Sequence, residues 1–152
     1  LHHIEAILSL GVSGDARALF NSAMREQIAK VSSLGVSLDA ASVAITTPQT
    51  DTYVNARLAE YDAAGTNTLK LNVVLKEATF MNLGNGYEVY NAFRRTGYPT
   101  GIQLPLEHPR QFALRLPYAQ DELNLNPNTP TVVFDDPDYS LFWDVLKYQF
   151  PN

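Results

Sequence analysis

The placement of proline divides this chain into two kinds of sequence. Every proline except Pro48 lies between Pro99 and Pro151. Each one fixes φ and removes a backbone donor, so it interrupts a helix interior or a central strand. Long regular elements are therefore confined to the first 97 residues. The expected fold is mainly α, with a helical body over 1–97 and a long irregular, proline-rich segment over 98–152 that wraps the body or forms a binding surface. At 152 residues this is one domain's worth of chain, able to bury roughly 70% of its unfolded surface around a single core.

Before the prolines begin, apolar residues recur at spacings of three and four. Leu1 to Leu10 puts Ile4, Ile7 and Leu8 on one face up to Gly11, and Ser13 is placed to cap a second helix. There Ala16, Leu19, Phe20, Ala23, Met24, Ile28 and Val31 continue the pattern to Gly35. The two predict an antiparallel helical hairpin, the unit of TPR-like repeat arrays, although no second copy recurs at a fixed period. Val36 to Gln49 lacks periodicity and reads as a loop, with Thr50 or Asp51 capping a third helix through Tyr53, Ala56, Leu58 and Tyr61 to Gly65. Thr66 or Asn67 then starts a fourth, through Leu69, Val73, Val74, Phe80 and Met81 to Gly84.

The fifth helix is the most fully specified. Asn85 is its expected cap, and Val89 with Phe93 and Tyr87 with Tyr90 form adjoining apolar faces. Arg94 and Arg95 complement the carbonyl end of the helix dipole, Gly97 suits a left-handed cap, and Pro99 forbids continuation. Neighbouring residues on a helix point about 100° apart. One arginine should therefore lean over the aromatic faces while the other reaches the irregular segment. Beyond Pro99, Phe112, Leu114 and Leu116 alternate as a short extended run, Ala119 to Leu123 suits one helical turn, and Thr131 to Phe134 reads as extended.

A net charge of −5, with no basic run anywhere, argues against a nucleic-acid partner, because that affinity rests on clustered cations displacing counterions. The absence of cysteine excludes disulfides and thiolate metal sites. No apolar run approaches the roughly 18 residues of a membrane span, and the start lacks a signal peptide's basic region. Opening directly in a helical pattern, without methionine or cap, suits a piece of a longer protein.

No constellation points to catalysis, a cofactor or a metal. Glu77 and Glu88 are the tempting carboxylate pair, but eleven residues along one helix would separate them by about 16 Å, beyond glycosidase geometry; both are expected to be solvated. Asp135, Asp136 and Asp138 around Pro137 lack the spacing of a calcium loop and suit a capped turn. His2 and His3 are adjacent, so they cannot chelate as an i, i+4 pair and belong to helix surface. The Gly84–Gly86 turn lacks the lysine and hydroxyl of a phosphate loop. Tyr139, Trp143 and Tyr148, with Phe142, are the right types to stack on sugar faces and are the candidate ligand-binding residues, although core packing is the favoured reading for each ring.

Two stretches carry a family resemblance: GNGYEVYNAFRRTGYP from Gly84 to Pro99, and ALRLPYAQDELNLNPN from Ala113 to Asn128. Their order resembles the C-terminal part of SusD/RagB-type nutrient-binding lipoproteins of Bacteroidetes. The matching residues are Gly84, Asn85, Gly86, Arg94 to Gly97, Pro99, Arg115, Pro117, Tyr118 and Asn126. The chain departs from many members at Ala92 and at the Glu77–Ala78 pair. The resemblance implies a helical-repeat body and capture of a nutrient, usually a glycan, at the extracellular face of the outer membrane. It also implies delivery to a SusC-like TonB-dependent transporter and attachment through a lipid anchor absent from this chain. Gly84, Gly86, Arg94, Arg95, Gly97, Pro99, Arg115, Pro117 and Tyr118 are then fold-determining rather than ligand contacts. Rival expectations are a helical-repeat interaction scaffold and, further off, a divergent glycan-cleaving enzyme.

Overall fold

A computed structural model describes residues 1–39, 41–103, 115–130 and 141. The chain is mainly helical, with α1 (His2–Leu10), α2 (Ala16–Leu38), α3 (Thr47–Ala63), α4 (Asn67–Met81), α5 (Gly86–Thr96) and α6 (Gln120–Leu125), and no strand among the described residues. It divides into two compact units, Leu1–Thr100 and Gly101–Asn152.

Helix ends in the first unit are set by local chemistry. α1 stops at Gly11, whose φ of 70° is left-handed and whose N–H donates to the Ala6 carbonyl. α2 is capped by Asp15 and not by Ser13: the Asp15 carboxylate accepts from the Ala18 N–H at 2.9 Å, and a negative charge suits the positive end of the helix dipole. Gly35 does not end α2, which continues to Leu38. A helical glycine costs only about 1 kcal/mol relative to alanine, so it stops a helix only where the backbone turns left-handed, and here it stays helical. α3 begins earlier than Thr50. Thr46 and Gln49 form a reciprocal capping box, the Gln49 side chain accepting from the Thr46 N–H at 2.9 Å, with Pro48 in the first turn. α4 is capped by Thr66, which accepts from the Leu69 N–H at 3.2 Å. Asn85 occupies the cap position of α5 without a side-chain bond. That helix ends as expected at Gly97, with φ of 75°.

The core follows from the spacing. Ala16, Phe20 and Met24 project from one face of α2, Val54, Leu58 and Tyr61 from α3, and Ile4 from α1, forming one buried cluster with Val74 of α4. The Phe20 and Tyr61 ring centroids are 5.7 Å apart. Leu71, Leu75 and Ala78 lie on another side of α4, where they pack with Ala92 and Tyr98. α4 is therefore apolar on two faces and touches α1, α2, α3 and α5. Five large residues counted above in the apolar patterns are exposed instead: Val31, Tyr53, Leu69, Phe80 and Tyr87. Val31 lies in the long C-terminal half of α2, where α2 contributes no buried residue beyond Met24.

In the second unit α6 buries no residue. The Asn126 side chain closes its end by accepting from the Asn128 N–H at 3.0 Å. The Arg115 guanidinium lies 5.1 Å from the centroid of the Tyr118 ring, a cation–π distance. The Thr131–Phe134 run and most of the Phe112–Leu116 run lie outside the described residues.

Candidate functional site

An apolar cleft of about 350 Å³ in the first unit has a few polar groups converging on it. α2 supplies one wall through Met24, Ile28 and Val31, Ile45 and Tyr53 close a second side, and Phe80 and Met81 of α4 complete it. These walls follow from the helix registers. The apolar stripe of α2 runs on past the core at the same spacing, so its next members, Ile28 and Val31, line the cleft. The Gln27 side chain donates to the Met81 carbonyl at 3.1 Å and ties α2 to the end of α4.

Glu77 also lines this cleft, and it is only 3% exposed. The expectation of a solvated carboxylate is thus incorrect. Register explains the difference: Glu77 lies next to Ala78 and three positions from Val74, both buried, so α4 carries it inward between its two apolar faces. Its Oε2 accepts from the Tyr53 hydroxyl at 2.6 Å. Arg57 Nη1 is 4.0 Å from Oε1, in ion-pair but not hydrogen-bond range. The same guanidinium holds Glu60 at 2.9 Å through Nη2 and lies 5.6 Å from the Tyr53 ring centroid. Its Nε is buried without a hydrogen-bond partner among the described residues. Burial, then the bond to Glu77, pushes the Tyr53 hydroxyl up to about 12, so it remains a donor throughout the neutral range.

Glu88 does not approach this cluster as a catalytic partner. It is half-exposed on α5 and sits 3.5 Å from His2 Nε2. His2 is largely exposed, its Nδ1 standing 3.8 Å from Glu5. Among the described residues no three histidine, aspartate or glutamate side chains gather as a metal site.

The two arginines of the α5 signature diverge. Arg94 folds back over Tyr90, 5.7 Å from the ring centroid, with Nη1 3.4 Å from the hydroxyl. Arg95 reaches α1 instead of the irregular segment. Its Nε and Nη2 donate to the two carboxylate oxygens of Glu5 at 2.5 and 2.7 Å. A fixed carboxylate on a neighbouring helix gives a planar guanidinium two parallel charge-assisted bonds, which scattered loop carbonyls match poorly. Glu5 retains 12% side-chain exposure against 45% for Arg95. The bonds to Arg95 hold its carboxyl below the usual range, against the opposing effect of burial.

Of the other signature residues, Gly84 has a left-handed φ of 89°, Pro99 is buried, and Gly86 opens α5. Arg115, Pro117 and Tyr118 lie in the second unit. Tyr139, Trp143 and Tyr148, Phe142, and the aspartates 135, 136 and 138 lie outside the described residues. Sequence reasoning missed the Tyr53–Glu77 pair, because its members are 24 residues apart on different helices. No family model, curated protein or solved structure matches the chain.

Proposed function

We propose that the chain is the C-terminal part of a SusD-like surface receptor. In this reading it captures a nutrient without cleaving it and passes it to a SusC-like TonB-dependent transporter at the outer membrane. The observation that carries the reading is the ordered series Gly84-Asn85-Gly86, Arg94 to Gly97, Pro99, Arg115 to Tyr118 and Asn126. The setting of that series supports it. Gly97 makes the left-handed stop and Arg95 clamps α5 to α1, as befits residues retained for fold rather than for contact with a ligand. The paired helices α1–α2 and α3–α4 suit a TPR-like body. Nutrient specificity in this reading resides in polymeric or oligomeric glycan recognition, with Tyr139, Trp143 and Tyr148 as candidate contacts.

The test uses the protein as expressed by its own cell. Affinity purification from solubilised outer membrane should recover a TonB-dependent barrel, and the purified protein should bind a glycan array saturably without releasing reducing ends. Recovery of no barrel together with an empty array would overturn the reading. Steady release of reducing ends, abolished by one carboxylate substitution, would replace it with the enzymatic alternative.

A further inference from the structure

We propose that the α2–α3–α4 cleft is a binding site for a small apolar ammonium, an alkyl or arylalkyl amine in its protonated form, with Glu77 as the anchor for its charged head. This does not rest on the nutrient-capture reading. Three observations converge. The cleft, about 350 Å³, falls within the range of small-molecule sites, which are apolar enclosures with a few fixed polar groups. Its walls of Met24, Ile28, Val31, Ile45 and Phe80 suit a hydrocarbon body.

The second observation is the state of the carboxylate. Glu77 is 3% exposed, and among the described residues its side chain takes one hydrogen bond, from Tyr53. An ionised carboxylate has about four acceptor positions, and a buried charge is stable only when paired and hydrogen-bonded. Oε1 lies 4.0 Å from Arg57, too far for a hydrogen bond. It is therefore the acceptor that a bound ammonium would complete.

The third is the local charge. Arg57 serves both Glu60 and Glu77, so two carboxylates share one guanidinium and the group keeps one net negative charge while Tyr53 stays protonated. A cation balances it. A carboxylate ligand would add a second like charge, and a neutral alcohol would leave the imbalance in place.

Hexylammonium, hexanol and hexanoate are isosteric probes for the full chain, followed by calorimetry and by amide shifts in nuclear magnetic resonance. Hexylammonium should saturate below about 10 mM, bind about tenfold more tightly than hexanol, and shift amides of α2 and α4; hexanoate should not bind. Glu77→Gln should remove the tenfold preference while leaving hexanol affinity unchanged. Val31→Trp places an indole at the cleft mouth from a side chain already 52% exposed, and should abolish binding of both. It also carries the test if Glu77→Gln fails to fold. Equal affinity for amine and alcohol, amine binding that survives Val31→Trp, or no saturable binding to the folded parent would each overturn the proposal.

Discussion

Arg95 and Glu5 join positions 90 residues apart through two parallel hydrogen bonds, and the burden of that pair is unequal. Glu5 is the more buried member, so removing the guanidinium strands a carboxylate whose other neighbour, His2, is 3.8 Å away. Arg95→Ala should cost about 1–3 kcal/mol. Its urea midpoint against the parent's checks this. The pH dependence has a defined sign. A carboxyl held below its ordinary value stabilises the fold fully above the unfolded pKa, near 4.3, and loses that contribution as pH falls through its folded value. The gap between parent and Arg95→Ala should thus be full at pH 7 and shrink below about pH 4. Tyr53 behaves oppositely. Its hydroxyl is pushed up to about 12, so its contribution is intact below the unfolded value near 10 and disappears as pH rises towards 12. The parent should lose urea resistance over that interval more steeply than Tyr53→Phe. At neutral pH that variant should cost about 1–3 kcal/mol, because Glu77 then has no hydrogen bond. The register of α4 turns Glu77 inward, but the pairing itself is not legible locally, since only the fold brings Tyr53 of α3 to its carboxylate.

Helix boundaries separate two kinds of glycine that look alike in sequence. Gly97 has arginines in the turn before it and a proline two residues after it, and it takes the left-handed conformation that only glycine adopts without strain. Gly35 has neither signal and stays within α2, with open space where a Cβ would be. Gly35→Ala should therefore raise stability by about 0.5–1 kcal/mol, and Gly97→Ala should lower it by about 1–2 kcal/mol; thermal midpoints of the two variants should move in opposite directions. The stop at Gly97 was readable because several cues agreed. The start of α3 was readable in principle, since Thr46 and Gln49 have capping-box spacing, but Thr-Pro-Gln-Thr resembles a turn equally well. What decided it was the helix that follows, whose Val54, Leu58 and Tyr61 must reach the core. The apolar spacing that located the core residues of α2 also swept in Val31, because periodicity reports a face and not what covers it.

Within the first unit, the order in which segments lose structure should follow the packing around α4. That helix contacts α1, α2, α3 and α5, contributing Val74 to one cluster and Leu71, Leu75 and Ala78 to the other. Leu1, just before α1, and Leu8 within it pack against both clusters, so this segment couples them despite its short length. Ile4, 1% exposed beside Phe20 and Val74, gives this coupling its apolar weight. Ile4→Ala should cost about 2–5 kcal/mol through lost burial and the cavity left behind. The last two turns of α2 have no such cover, since Val31, Leu34 and Leu38 are all more than half exposed. Amides that open only by global unfolding exchange slowest, and those under few buried contacts exchange by local opening. Native-state hydrogen exchange should accordingly give the highest protection to amides from Leu71 to Ala78 and much lower protection to those from Val31 to Leu38. Ile4→Ala should lower the α4 values by its full equilibrium cost while barely changing the end of α2, which already opens without breaking the core. Equal protection along all of α2, or α4 amides exchanging as fast as Leu34, would mean that α4 is not the centre of the cooperative unit.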